Sequence, residues 1–299
     1  MRLPTIHKCL VSLTLLALAV AVPAGTASAL EPEKYAIESA SVSLTDTQAG
    51  AHADLTTAFV LSAKENTPYA LTRDVDVHLP PGAIGNPQAV PRCSSLQFGG
   101  STENTCPVNT QVGVVEITLG GDTPGSFIEP IYNLEPPENS DIVARFGFYA
   151  AIYPSVVNVR LDPSNYSVVA SVEGASAAAG IIGAKTTIWG IPAAPSHDEL
   201  RLTPKEALEG GGAPPGGRPS GLPEIPFLSN PTDCSLEREV TITARSYQLP
   251  EAPVSKSAAY PKITGCGKLA FDPSFSAIPT NPEASAPTGL ETELTIPQD

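Results

Sequence analysis

Apolar and polar residues alternate over much of the chain, and this two-residue period is typical of a β-strand with one buried face. In RDVDVHL (73–79), the valines and Leu79 share one face, whereas the two aspartates and His78 share the other. QVGVVEITL (111–119) shows the same period, but its apolar phase changes at Gly113. A glycine at a change of phase predicts a β-bulge.

The same alternation predicts strands through most of the remaining chain. It is clear in 55–61 and in 238–247, where one face carries mainly apolar residues. Further strands are predicted at 130–134, 143–150, 155–161, 166–172 and 185–190. Many short strands separated by Gly- and Pro-containing turns predict an all-β fold. We expect an antiparallel β-sandwich unit, with two packed sub-sandwiches as the alternative arrangement.

The segment 204–226 breaks the pattern because glycine and proline occur throughout it. EALEGGG (206–212) has room for one helical turn, but the rest cannot pack a core. We predict a mobile surface loop or a linker between subdomains, within a β-sandwich unit that covers residues 30–270.

An internal repeat is indicated near the end of the chain. Residues 276–296 align without a gap on residues 41–61, at an offset of 235 residues (276 − 41), and six of the 21 positions are identical. The identical pairs are Ser276/Ser41, Thr280/Thr45, Ala284/Ala49, Ala286/Ala51, Leu290/Leu55 and Thr292/Thr57. This long offset suits the repeat of a whole domain. Residues 271–299 are therefore predicted to begin a second, truncated unit, and a chance match between two Ala/Thr-rich stretches is the alternative.

The N-terminus predicts export. Arg2 and Lys8 provide a basic start, residues 10–22 are apolar, and Ala27-Ser28-Ala29 follows. This order is typical of a signal peptide over residues 1–29, cleaved after its last alanine. The apolar run is shorter than the roughly 20 residues that span a bilayer, which argues against an uncleaved anchor. No later segment predicts a transmembrane helix, so we expect a secreted or cell-surface protein.

Four cysteines stay in the mature chain: Cys93, Cys106, Cys234 and Cys266. In an oxidising compartment an even number predicts two disulfides, and four cysteines allow three pairings. We favour the sequential pairs, 93 with 106 and 234 with 266, because each would bracket a loop. A zinc site is the alternative, but the chain has no C-x-x-C pair and little histidine.

The charge limits the possible partners. Loss of Arg2 and Lys8 with the signal peptide changes the formal charge from −14 to −16 (−14 − 2). An acidic exported protein repels nucleic acid and anionic lipid, so neither is an expected partner. Solubility alone explains the charge and is the interpretation that we prefer. The partner is not predicted, and a cell-wall glycan or another surface protein is the candidate class.

Few residues suggest chemistry. Ser196-His197-Asp198 cannot form a catalytic triad, because triad side chains converge from separate elements. We predict a turn there, with the serine or the aspartate capping a short helix. Asp74 and Asp76 share a strand face with His78, but that spacing favours a solvated face over a cation site. The sequence therefore predicts no catalytic residue, no metal site and no cofactor.

Several stretches resemble a known group of proteins. These are LPPGAIGNPQAVPRC (79–93), YNLEPP (132–137), ARFGF (144–148), WGIPAAPSHDELR (189–201), PFLSNPTDC (226–234) and ITGCGKLAFDPSF (263–275). In them the chain resembles large exported actinobacterial proteins with repeated β-rich units. That resemblance covers nearly all of the mature chain and implies a shortened version of such a protein. The group has no established activity, so it implies no catalytic residue.

Three function classes follow from these observations. We expect a non-catalytic structural or adhesive module of the cell envelope or secretome. The alternative is a carbohydrate- or ligand-binding module, which would expose aromatic side chains such as Trp189 and Tyr132 on one face. A secreted hydrolase is the third class, and it would need two acids or a His–acid pair converging in a cleft.

Overall fold

The computed structural model describes residues 30–100, 104–121, 124–269 and 273–296. The predicted signal peptide lies outside the described residues. Within them the chain forms seventeen strands and two short α-helices. The strands are β1 Ile37–Leu44, β2 Leu55–Leu61, β3 Ala63–Lys64, β4 Thr67–Pro68, β5 Thr72–His78, β6 Ile84–Gly85, β7 Gln111–Leu119, β8 Gly125–Leu134, β9 Ala144–Ala150, β10 Tyr153–Leu161, β11 Val168–Val172, β12 Ile181–Ile188, β13 Leu228–Ser229, β14 Glu239–Ser246, β15 Val254–Ala259, β16 Ser274–Pro279 and β17 Leu290–Thr295.

The helical elements are all short, and they lie before β1 or in the connections between strands. The α-helices are α1 Ser95–Gly99 and α2 Pro204–Leu208, and the 3-10 helices are Pro32–Lys34, Val108–Thr110, Ala177–Ala179, Pro195–Leu200 and Cys266–Lys268. Both α-helices begin with a capping box, in which Ser94 and Thr203 accept a hydrogen bond from the third helical amide. Helices of one or two turns cannot build a core, so the sheet must supply it.

Eleven strands form one antiparallel sheet in the order β1-β2-β12-β7-β8-β9-β10-β11-β5-β14-β15. The two end strands, β1 and β15, lie alongside each other. Lys256 on β15 reaches across and donates a hydrogen bond of 2.7 Å from Nζ to the Glu38 carbonyl on β1. The sheet therefore curls round until its edges meet, and its two walls face each other across the interior.

The prediction of an all-β, antiparallel fold is confirmed. The two facing layers of this fold belong to one continuous sheet. The alternation read from the sequence sets the inner face: Val75 on β5, Phe59 on β2 and Ile242 on β14 are all buried. The interior contains two apolar clusters, one around β1, β2, β5, β14 and β15 and one around β7, β8 and β12. A third cluster packs α1 against the outer face of β8.

The bulge predicted at Gly113 is present, since the register of β7 against β8 shifts between Gln111 and Gly113. A side chain at Gly113 could not be accommodated. Its Cβ would lie 2.1 Å from the Thr187 carbonyl oxygen of β12, far closer than van der Waals contact allows. Glycine therefore permits β7 and β12 to approach at the bulge.

The long connections gather at one end of the sheet, which we call the capped end. Because all neighbours are antiparallel, β1, β5, β8, β10, β12 and β15 finish at this end. The two longest connections, 79–110 and 189–238, start there and cover it. Residues of both, including those of β6 and β13, pair with each other across the opening.

Residues 273–296 stand apart from this sheet. β16 and β17 form a separate two-stranded hairpin in which every strand residue is exposed. We call it the terminal hairpin, and β1–β2 the first hairpin.

Candidate functional site

The inner walls of the curled sheet do not meet, and they enclose a cavity of about 480 Å³. Small-molecule sites in proteins commonly measure about 300 to 1,000 Å³. Strands β2, β5, β7, β8, β9, β10, β11 and β12 supply most of its surface, and the capped end supplies the rest. The cavity is thus large enough to hold a small molecule.

Short side chains on the inner face create this space. The inner face of β11 carries Val168, Ala170 and Val172, and that of β12 includes Ala184 and Thr186. Valine, alanine and threonine extend less far from the sheet than leucine or phenylalanine, so these positions leave space between the walls. Larger side chains also border the cavity, among them Phe146 and Phe148 on β9, Phe59 on β2 and Ile117 on β7.

The cavity opens at the capped end. Four large apolar or aromatic residues of its lining are exposed to solvent: Ile84 on β6, Val143 before β9, Leu161 at the end of β10, and Tyr166 in the turn that follows. Tyr166 is the most accessible of them, at 76% exposure. These residues mark an apolar mouth between β6 and the β10–β11 turn. Exposed apolar side chains that rim a concavity are typical of a ligand entrance.

The wall has few polar groups. Among the described residues that line the cavity, none carries a charged side chain. From the strands of the large sheet, hydroxyl groups enter the wall at Thr57 on β2, Thr186 on β12 and Ser155 on β10. The connections and β13 add four more polar residues: Tyr166, Ser229, Asn230 and Tyr260. A cavity of this character suits a mainly apolar molecule that makes a small number of hydrogen bonds.

A buried carboxyl lies on the same inner face, near the wall. Glu129 on β8 is opposite Val115, which lines the cavity, and its side chain is 5% exposed. No described residue donates a hydrogen bond to its carboxyl group. Burial raises the pKa of Glu129 from its usual value of 4.5 to about 7. An ionisable group held in this way is titratable near neutral pH.

A second group of buried polar side chains surrounds Trp189, immediately after β12. His197 stacks on one side of the indole with its ring centroid 4.6 Å away, and the Arg201 guanidinium lies 5.2 Å from the indole ring. The His197 Nε2 atom is 3.1 Å from Asp54 Oδ2, and the Gly190 amide donates to Asp54 Oδ1 at 2.8 Å. We call these residues the Trp189 cluster.

The Trp189 cluster contains a His–acid pair, but its geometry is that of a structural contact. His197 is buried beneath the indole and does not line the cavity. Burial acts to raise the pKa of Asp54, but the hydrogen bonds from His197 and Gly190 outweigh it and hold that pKa below its usual range. These hydrogen bonds join the turn between β1 and β2, which we call the first turn, to the connection that follows β12.

The Gly/Pro-rich segment 204–226 is attached to the same region. Arg218 donates two hydrogen bonds to the Glu206 carboxylate, of 2.7 and 2.8 Å, and lowers the pKa of Glu206 to about 2. Arg218 also donates to the Arg201 carbonyl at 2.8 Å, and Arg201 Nε donates back to the Arg218 carbonyl at 3.0 Å. These charge-assisted bonds fix the segment against the capped end.

The four cysteines lie in the connections at the capped end. Cys93 pairs with Cys106 and Cys234 pairs with Cys266, with Cα atoms 5.4 Å and 6.0 Å apart. This is the sequential pairing favoured from the sequence. The first disulfide packs beneath α1 against β8, and the second joins the connection before β14 to the segment after β15.

The remaining candidates from the sequence are ion pairs or core residues. Asp74 pairs with Arg73, and Asp76 pairs with Arg245 at 2.7 Å, so this strand face is salt-bridged and not merely solvated. In the described part of the chain, no three His, Cys, Asp or Glu side chains are placed to hold a metal ion. The helix at Pro195–Leu200 is present, but Ala194 precedes it and no side chain caps it, so the predicted cap is wrong.

The aromatic residues do not form an exposed platform. Trp189 and Tyr132 are both buried, at 1% exposure or less. The Tyr149 hydroxyl donates to the Phe98 carbonyl at 2.7 Å and is used within the fold. A sugar-binding face built from these side chains is therefore excluded.

The cavity and the Trp189 cluster were not predicted from the sequence. The inward positions could be read from the alternation, but the strands that face each other depend on the order of the sheet. Asp54 and His197 are 143 residues apart, and no local pattern connects them. The one available signal was the excess of Val, Ala and Thr over larger residues on the inward face of β11 and β12.

Comparisons with known proteins gave no significant match to a family model, a curated protein or a solved structure. The resemblance to exported actinobacterial proteins therefore stays a prediction. Among the described residues, no helix combines the length and the apolar character needed to cross a bilayer. The two disulfides suggest an oxidising, extracellular environment.

Proposed function

We propose that this protein is an exported binding module that holds an apolar small molecule in its interior cavity. The observation that carries the proposal is a space of about 480 Å³ whose described lining carries no charge. Protein interiors are normally close-packed, and an empty apolar cavity lowers stability. A cavity of this size with an apolar mouth is therefore best explained by an occupant.

Export is part of the same proposal. It is supported by the predicted signal peptide over residues 1–29 and by the two disulfides, which suit an oxidising compartment. The acidic composition also suits a protein that avoids nucleic acid and anionic membranes.

Binding of N-phenyl-1-naphthylamine to the mature protein tests the proposal. This probe becomes fluorescent in apolar surroundings, so we expect saturable fluorescence enhancement at one site per chain. Ala170→Phe on the inner face of β11 should fill the cavity and abolish the enhancement. Val169→Phe is the matched control, because Val169 is the residue next to Ala170 and lies on the outer face of the same strand.

Two results would contradict the binding module. One is an absence of enhancement with the wild-type protein. The other is equal enhancement with wild type and Ala170→Phe, which would place the probe elsewhere on the surface. Circular dichroism of each variant shows whether the β fold is retained.

A structural or adhesive module of the cell envelope is the second candidate. The exposed apolar face of the terminal hairpin favours it, since Phe275, Leu290 and Leu294 have no cover among the described residues. The internal repeat and the resemblance to exported actinobacterial proteins support the same role. Exposed apolar faces of this kind mark interaction surfaces.

Co-sedimentation of the mature protein with purified cell-wall glycan tests this second candidate. Retention in the pellet, with loss of retention for Leu294→Ser, would support an adhesive role. A protein that stays in the supernatant with every glycan fraction would argue against it.

A further inference from the structure

The two strands β2 and β12 carry adjacent threonines that alternate between the faces of the sheet. Thr56 is opposite Thr187, and Thr57 is opposite Thr186. On the outer face, the Thr56 and Thr187 hydroxyls hydrogen-bond each other at 2.9 Å. On the inner face, Thr57 and Thr186 both line the cavity, and neither hydroxyl has a hydrogen-bond partner among the described residues.

A third hydroxyl faces the same space from another strand. Ser155 on β10 is buried and lines the cavity, and no described residue bonds its hydroxyl. Polar groups in an apolar interior are normally hydrogen-bonded to the protein, to water or to a ligand. Thr57 and Thr186 are only half-buried and line the cavity, so their hydroxyls can bond a molecule inside it. Valine would fit the threonine positions at nearly the same volume. The hydroxyls therefore indicate that the occupant accepts or donates hydrogen bonds inside the cavity.

The charge around the cavity narrows the class of occupant. No lysine, arginine or histidine is among the described lining residues, so nothing there would neutralise a carboxylate. Glu129 lies on the same inner face beside Val115, and its carboxylate would repel an anion when ionised. Burial of an unpaired charge is unfavourable by several kcal/mol. A fatty-acid carboxylate is therefore a poor occupant.

We propose that the cavity selects a neutral apolar molecule bearing a hydroxyl or carbonyl oxygen, and that Thr57 and Thr186 form the hydrogen-bonding site for that oxygen. Ser155 provides a further contact from the wall formed by β10. This inference rests on the proposed binding function and adds the chemical class of the ligand and two specificity-determining residues.

Displacement of bound N-phenyl-1-naphthylamine by decane, 1-decanol and decanoate at pH 8 tests the inference. The three competitors share a ten-carbon chain and differ in their end group. We expect 1-decanol to compete at least fivefold more strongly than decane, because each hydrogen bond contributes about 1 kcal/mol. Decanoate should compete more weakly than 1-decanol.

Thr57→Val with Thr186→Val should remove the preference for 1-decanol over decane, and decane should bind at least as tightly as it binds the wild type. Thr56→Val with Thr187→Val is the control, since it removes two hydroxyls from the outer face of the same strands. The control should keep the preference. The control and the test variant alter opposite faces of the same two strands. A general loss of folding caused by valine in these strands would therefore appear in both variants.

The outcomes separate the two proposals. If the probe does not bind wild type, the binding module itself is wrong. If the probe and decane bind but 1-decanol competes no better than decane, the neutral-oxygen site is wrong and the binding module stands. Unchanged preference in Thr57→Val with Thr186→Val, or decanoate competing as well as 1-decanol, also overturns the inference.

Discussion

The first hairpin and the terminal hairpin share an internal geometry but have different surroundings. At the offset of 235 residues, all six cross-strand pairs of β16–β17 correspond to pairs of β1–β2. Pro279 is opposite Leu290, for example, as Leu44 is opposite Leu55. The two hairpins therefore share one register at this offset, and the internal repeat of a whole unit stays a prediction.

The turns of the two hairpins agree as closely as their strands. The Thr45 amide donates to the Asp54 carbonyl at 3.1 Å, and the Thr280 amide donates to the Gly289 carbonyl at 3.0 Å. In return, the Asp54 and Gly289 amides each donate to the threonine hydroxyl at 2.9 Å. The left-handed residues of the two turns, Gly50 and Ser285, also occupy matching positions.

What surrounds each hairpin is different. β2 pairs with β12, and the first turn is bonded to Thr264, Asn230 and Gly190. Phe59 is consequently 9% exposed, whereas Leu294 at the matching position of the terminal hairpin is 61% exposed. Hairpin geometry is thus encoded locally, and burial depends on the strands that the rest of the unit supplies. An isolated two-stranded hairpin is only marginally stable in water.

Truncation of the residues at matching positions should give the largest difference in stability between the two hairpins. Phe59→Ala removes a ring from the inner cluster and should lower the free energy of unfolding by about 4 kcal/mol. Leu294→Ala removes an exposed side chain and should change it by less than about 0.5 kcal/mol. Chemical denaturation followed by circular dichroism measures both. Equal losses for the two variants would mean that the terminal hairpin is packed against the unit in solution.

Sequence alone predicted the faces of the strands but neither their pairing nor their burial. The alternation in 55–61 identified the inward face, and the alignment extended it to 276–296, because alternation depends on residues close together in the chain. The pairing of β2 with β12 joins residues more than 120 positions apart. The alternating pattern of either strand is compatible with many other strands as its neighbour. The cavity follows from that pairing, so its existence could not be read from any one strand.

The two disulfides should stabilise the unit that covers residues 30–270, which we call the first unit, and not the terminal hairpin. Cys234→Ser with Cys266→Ser releases the segment that bonds the first turn through Thr264, and should lower the free energy of unfolding by about 3 kcal/mol. Cys93→Ser with Cys106→Ser should likewise lower the melting temperature without abolishing the β fold. Thermal melts by circular dichroism measure both, and an unchanged melting temperature in either pair would show that its disulfide is not a structural staple.

The buried carboxyl group of Glu129 should make stability depend on pH near neutrality, whereas the exposed Glu293 of the terminal hairpin should not. The pKa of Glu129 is raised to about 7 by burial, so between pH 4.5 and 7 the folded state binds more protons than the unfolded state. The contribution of Glu129 to stability should therefore fall as pH rises through this range, by at most about 3 kcal/mol, and be level outside it. Glu129→Gln should remove the decline. Glu293→Gln, on the exposed terminal hairpin, is the control and should keep it.

Loss of the same turn hydrogen bond should have unequal effects in the two hairpins. Thr45→Val removes the acceptor of the Asp54 amide from a turn that is coupled to the unit, and should lower the free energy of unfolding by about 1 kcal/mol. Thr280→Val removes the matching acceptor of the Gly289 amide, and should leave global stability unchanged while that amide exchanges faster with solvent. Hydrogen exchange read by NMR separates these effects. If Thr280→Val also lowers global stability, the terminal hairpin is coupled to the first unit, and its exposure would not describe the protein in solution.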